Sequence, residues 1–187
     1  MSTESPQIQR MIARLTVGSF AAELILAEGW LRLARGMDVT DLILQGDNLL
    51  PAVAVGLLLA VAIALGSRAF FSRFTPELIR TLFVPILGHT TSREVALMAL
   101  LPGLGEELLF RGTIQPEIGL VWTSLVFGAL HSGFSRELLP YGLWATGVGA
   151  ILGGLYMVTG NLWGCIAAHS VVNAMGALWL RRMAGTT

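Results

Sequence analysis

Six side chains in three short stretches of this sequence could carry chemistry. In Gly105-Glu106-Glu107-Leu108-Leu109-Phe110-Arg111, Glu107 and Arg111 are four residues apart, a spacing at which a glutamate pairs with a cation one helical turn further on. Glu106, offset by about 100° around the helix, has no such counter-charge, which is the setting of a carboxylate that takes a proton from water as a general base. A bland reading stands beside it, in which Glu107 and Arg111 form a structural clamp and Glu106 faces solvent at a helix end. The other two stretches are Phe127-Gly128-Ala129-Leu130-His131 and His169-Ser170-Val171-Val172-Asn173, each with its end residues four apart and so on one helical face. A lone histidine in an apolar helix is more often a packed residue than a base. Two of them, with an acidic pair and an asparagine, shift that balance toward a site. Of the remaining polar residues, His89 precedes Thr90 and Thr91 and is expected in a solvated connection. Glu23 and Glu28, five apart, share no face well and mark either an interfacial helix or a channel lining.

The elements that must position these groups are apolar. The chain has 187 residues, 54% hydrophobic and 13% charged, with a mean hydropathy of +0.70, against about 25% charge in a soluble domain, so a membrane protein is expected. Lysine is absent and the 12 arginines are matched by 12 acids, which leaves no positive field to hold nucleic acid. One cysteine, Cys165, allows no internal disulfide and no thiolate zinc cluster. Leu49–Gly66 is free of charge and is the clearest spanning helix. Met11–Ala34 carries Arg14, Glu23, Glu28 and Arg32 and reads as a weaker crossing or an interfacial helix. Thr75, Pro76 and Glu77 start a helix whose apolar part, Leu78–Leu87, is too short to cross. A helix from Arg93 to Gln115 is expected to kink at Pro102 and Gly103. Ile118–His131, Tyr141–Val158 and Leu162–Leu180 follow.

The expectation is therefore an all-α polytopic transmembrane bundle, one integral domain over 1–187 with its core at about 93–180, five to six spanning helices, and one short interfacial or half-buried helix. Residues 1–10 read as a frayed terminus. Loop arginines fall on one side for six crossings, which puts both termini in the cytoplasm. The pairs Gly149/Gly153 and Gly160/Gly164 predict close intramolecular helix packing. The five tryptophans fall mostly near segment ends and are read as interfacial anchors.

In this order, Glu-Glu-x-x-x-Arg, Phe-x-x-x-His and His-x-x-x-Asn resemble the signature of the CAAX protease and bacteriocin-processing (CPBP, or Abi) family of intramembrane proteases. The resemblance runs from about Leu97 to Asn173 and takes in Phe110-Arg111-Gly112 and Thr159-Gly160-Asn161. It implies an endopeptidase acting on a membrane protein or lipidated peptide. Glu106 would activate a water with His131 as partner, His169 and Asn173 would stabilise the oxyanion, and Glu107 and Arg111 would form an orienting clamp behind Glu106. Zinc, held by Glu106, His131 and His169, is one variant of this scheme. A metal-free, glutamate-dependent reaction is preferred, since the sequence has no His-Glu-x-x-His helix. A catalytically silent immunity or scaffold protein of the same frame is the alternative. A proton-coupled transporter is disfavoured by the lack of an inverted repeat. The expected location is a bacterial plasma membrane.

Overall fold

The computed structural model describes residues 5–185, and among them there is no strand. Helix α1 (Ser5–Trp30) runs into a π-helical turn, Leu31–Arg35, and is followed by the short α2 (Val39–Ile43) and the long α3 (Leu49–Phe74). A broken surface segment then passes through α4 (Pro76–Leu78), a π turn at Ile79–Phe83 and α5 (Val84–Leu87), in place of the single short helix expected there. Helix α6 (Ser92–Glu106) continues without interruption into a π-helical segment, Glu107–Ile114, and then into α7 (Gln115–His131). Helices α8 (Leu139–Thr159) and α9 (Leu162–Ala184) complete the bundle.

Two expectations about local structure are corrected. Helix begins at Ser5, so residues 5–10 do not fray; residues 1–4 lie outside the described residues. Tertiary contact explains this, since Ile12 is buried and the Gln9 side chain donates to the His89 carbonyl at 3.3 Å. Helix α6 runs through Pro102 and Gly103, where a kink was expected, and the departure from α geometry comes at Glu107, as a change to π-helix without a break. Gly103 lies so close to Ser170 that a Cβ would meet the serine hydroxyl, and this contact holds that stretch of α6 against α9. A break falls at Gly119, whose φ of 79° and ψ of 168° are open essentially to glycine alone, so that α7 is two helices joined at a bend.

Helix α9 is the central post and packs against α3, α6 and α8, while α7 lies along α8 and α1 covers α6 and the π segment after it. In lipid such contacts are driven by close packing rather than by burial from water. Gly164 serves that end, its Cα side facing the Ala52 carbonyl of α3, whereas its partner Gly160 takes a left-handed φ of 62° and closes α8. Ala60, Ile63, Val148, Leu152 and Ala168 join α3, α8 and α9, and Leu31, Leu42, Leu108, Leu162 and Ile166 tie the π segments Leu31–Arg35 and Glu107–Ile114 to α2 and α9. Among the described residues three helices, Leu49–Phe74, Leu139–Thr159 and Leu162–Ala184, are long and apolar enough to cross a membrane. Large apolar side chains such as Leu58, Leu65, Val121, Trp122, Leu143 and Val158 face outward, as lipid contact requires.

Candidate active site

A capping box starts the helix that carries the acidic pair. Glu94 Oε2 accepts from the Thr91 backbone at 2.6 Å, and Thr91 Oγ1 accepts from the Glu94 backbone at 3.3 Å. At the far end the helix widens to π geometry at Glu107, where Thr113 Oγ1 takes up the Leu108 carbonyl at 2.9 Å. Such single wide turns re-aim side chains and are frequent at functional sites.

Glu107 is fully buried and Arg111 is 1% exposed. Their charges meet at 3.1 Å, as the spacing predicted, but Glu107 has a second partner that one helix could not reveal: its Oε1 lies 2.7 Å from His169 Nδ1. A carboxylate only accepts, so the proton is on His169 Nδ1 and the Nε2 edge is turned inward. The guanidinium also donates to the Gly149 carbonyl at 3.2 Å and lies 4.7 Å above the Phe127 ring, so the buried cation is compensated on three sides. The clamp expected behind Glu106 thus stands behind His169.

Glu106 itself faces both imidazoles. His131 Nε2 is 3.7 Å and His169 Nε2 is 3.8 Å from Glu106 Oε2, an oxygen that is buried and has no hydrogen-bond partner. Those gaps exceed a direct hydrogen bond and admit a water touching all three groups. His131 Nδ1 donates to the Phe127 carbonyl at 2.8 Å, which leaves its Nε2 lone pair toward Glu106. The Phe127 ring packs on His131 at 4.2 Å and edge-on to Phe110 at 4.9 Å. Asn173 lies one turn beyond His169 on α9 and lines the same cavity, a space of about 510 Å³. Most of its wall is apolar, with Phe71, Tyr141 and Trp144 among the aromatics, while Arg68 and Arg182 add charge. Trp144 is a wall of this cavity, stacked on Phe70 at 5.1 Å.

Of the six side chains singled out from the sequence, Glu106, His131, His169 and Asn173 therefore line one cavity, and Glu107 and Arg111 stand behind His169. His89 is exposed in its connection, as expected. Glu23 was not recognised as a member: its Oε2 is buried without a hydrogen-bond partner and it shares a small hollow with Glu106 and His131. The only signal was an acid in an apolar helix. Glu28 is separate, pairing with Arg32 and accepting from the Val39 backbone at 3.0 Å. Outside the spans, the Glu117 carboxyl is held below the usual carboxylate range by the Arg35 guanidinium at 2.6 Å and then by the Trp30 indole. Asp38 is likewise held low, chiefly by the Thr40 hydroxyl and then by the Asp41 backbone. Among the described residues, no three His, Cys, Asp or Glu side chains converge closely enough to hold a metal ion.

Comparison with known proteins agrees with this geometry. The family model for type II CAAX prenyl endopeptidase Rce1-like proteins matches residues 88–175, a span that contains all six side chains. Uncharacterized protein YpbD of Bacillus subtilis (strain 168) is 31% identical over 128 residues, covering 67% of this chain and 67% of that protein. No solved structure matches. By that family match and a relative aligned over two thirds of both chains, the protein belongs to the Rce1-like branch of the CPBP proteases, a membrane-embedded protease family.

Proposed function

We infer that the chain is an intramembrane endopeptidase that hydrolyses a peptide bond in a membrane-associated or lipidated protein or peptide, using a water activated by Glu106. The observation that carries this reading is the convergence of two imidazole Nε2 atoms, at 3.7 and 3.8 Å, on one buried and unpartnered carboxylate oxygen. A water bound there gives its proton to Glu106 while its oxygen adds to the scissile carbonyl carbon, and His131 Nε2 holds that water in line. In this reading His169 acts as the imidazolium, with Nδ1–H on Glu107 and Nε2–H donating to the oxyanion alongside the Asn173 carboxamide. A preorganised donor of this kind contributes about 3 to 4 kcal/mol to the barrier. Glu106 then passes its proton to the amine nitrogen as the carbon–nitrogen bond breaks, leaving a carboxylate and an amine. The apolar cavity takes an extended segment of the substrate. The step needs no metal; Glu106, His131 and His169 are the residues that would hold a zinc ion, which would supply a more acidic bound water. For an even number of crossings, the loop arginines support both termini on the cytoplasmic side, and a bacterial plasma membrane is the membrane proposed.

The test is substrate capture by Glu106→Gln in native membranes, followed by cleavage of the captured protein in proteoliposomes. Wild type is expected to cut it, and Glu106→Gln and His131→Ala are expected to lose at least about a hundredfold in rate. Wild-type rates in Glu106→Ala, His131→Ala and His169→Ala would end the peptidase reading. Retention of the biological phenotype by those variants would favour a silent scaffold.

A further inference from the structure

Glu106 and His131 line two spaces, not one. Besides the main cavity they border a hollow of about 260 Å³ whose other walls are Glu23, Phe110 and Leu130. The two spaces differ in chemistry, since the large one is walled mainly by apolar and aromatic side chains suited to a peptide, and the small one is bounded by two carboxyl groups. In it, Glu23 Oε2 and Glu106 Oε2 are both buried and both lack a hydrogen-bond partner. Two acceptors left bare on one hollow call for a donor between them. The other walls of the hollow supply none, because Phe110 and Leu130 have no polar side-chain atom and the Nδ1–H of His131 is spent on the Phe127 carbonyl. Water meets the need, having two protons to give, and a water site requires two to four polar partners. Glu23 and Glu106 are two such partners, and each takes one of its protons. The approach of Glu23 also depends on the residue before the candidate base. Gly105 has no side chain, and a Cβ there would strike the Glu23 carboxyl and lie 2.9 Å from the Phe20 ring, so α1 reaches α6 only because that position is bare.

We propose that Glu23 is a positioning residue of this site, holding in the small hollow the water that Glu106 and His131 draw on from the face opposite the substrate. This rests on the peptidase reading. In each turnover the oxygen of one such water ends in the new carboxylate, its protons pass by way of Glu106 to the leaving amine and to solvent, and another water takes its place. Glu23 forms and breaks no covalent bond.

Two measurements on the full chain in lipid nanodiscs test it. Radiolytic hydroxyl labelling, read by mass spectrometry, marks side chains beside bound water, and Phe110 is only 4% exposed, so its labelling reports the hollow rather than bulk solvent. Wild type is expected to label at Phe110, Glu23→Leu severalfold less, and Glu23→Gln, whose amide still binds water, at close to the wild-type level. On the captured substrate, Glu23→Leu is expected to lower kcat by about tenfold or more with KM nearly unchanged, and Glu23→Gln to recover most of that loss. A structural role alone would not give this rescue together with an unchanged KM. Absent labelling of Phe110 in wild type, or an unchanged kcat in Glu23→Leu, would overturn the proposal while leaving the peptidase reading intact. If Glu23→Leu does not fold, failure of Glu23→Gln to keep both the labelling and kcat would overturn it equally. Labelling that depends on Glu23 in a protein that cuts nothing would refute the peptidase reading and with it this role for Glu23.

Discussion

Replacing Glu107 by alanine separates what stabilises the site from what aims it. The substitution removes the carboxylate that lies 3.1 Å from Arg111 and 2.7 Å from His169 Nδ1. Arg111, 1% exposed, would keep only the Gly149 carbonyl and the Phe127 ring as compensation. Breaking a buried ion pair by removing one member costs about 3 to 5 kcal/mol, which for a chain of this length is about 6 to 20 °C in Tm. The His169 ring also loses its anchor. A hydrogen bond to a charged group contributes about 1.5 to 3 kcal/mol, and if that aim is used in the transition state, kcat falls by about tenfold to a hundredfold. The double variant Glu107→Leu/Arg111→Met fills similar volume without charge and is expected to regain most of the lost Tm, since such replacements are often neutral, but none of the lost kcat, because His169 stays unanchored. The protein provides its own stability probe. Cys165 is the sole cysteine, fully buried with its thiol on the Leu152 carbonyl at 3.2 Å, so a thiol-reactive fluorophore lights up only on unfolding. Recovery of kcat in the double variant, or a full loss of Tm there, would refute the reasoning.

Two further outcomes follow from the site and its surroundings. Exhaustive chelation is expected to leave peptidase activity in place, measured on the captured substrate, and loss of activity that zinc restores would replace the metal-free mechanism. The Arg35–Glu117 tie sets an acid limit on stability. Because the folded carboxyl ionises at lower pH than the unfolded one, near about 4.3, its contribution is fully present above that value and disappears as pH falls through the lowered folded value. Glu117→Gln is therefore expected to lower the Tm at neutral pH and to match wild type in strong acid; an equal deficit at both would show that charge is not the cause.

The candidate site was legible because each of its three motifs is a pair four residues apart, and helical periodicity puts both members on one face whatever the tertiary fold. What that periodicity cannot supply is the direction of a face relative to another helix. Glu107 was rightly paired with Arg111, yet its contact with His169 crosses from the π segment to α9 and depends on the wide turn at Glu107, which no residue type announces. Glu23 was missed for the same reason: it meets Glu106 only through the docking of α1 on α6 at Gly105. Leu49 onward, Tyr141 onward and Leu162 onward were read from uncharged length alone, whereas Ile118–His131, read as a strong segment in the same way, belongs to a helix of 17 residues that is not among the long apolar ones. The π turn at Glu107, the bend at Gly119 and the helical start at Ser5 were not, since each is decided by neighbours distant in sequence.

The two imidazoles are steered by unlike devices. His131 takes its bearing from a carbonyl of its own helix, four residues back, whereas His169 takes its bearing from a carboxylate on another strut, itself pinned by a cation. Damage to the Glu107–Arg111 pair consequently misdirects one ring and spares the other, while a shift of α7 does the reverse. Sorting variants by which ring they turn would divide activation of the nucleophile from reception of the developing negative charge, two halves of catalysis that enzymes with a single guiding histidine do not let an experimenter pull apart.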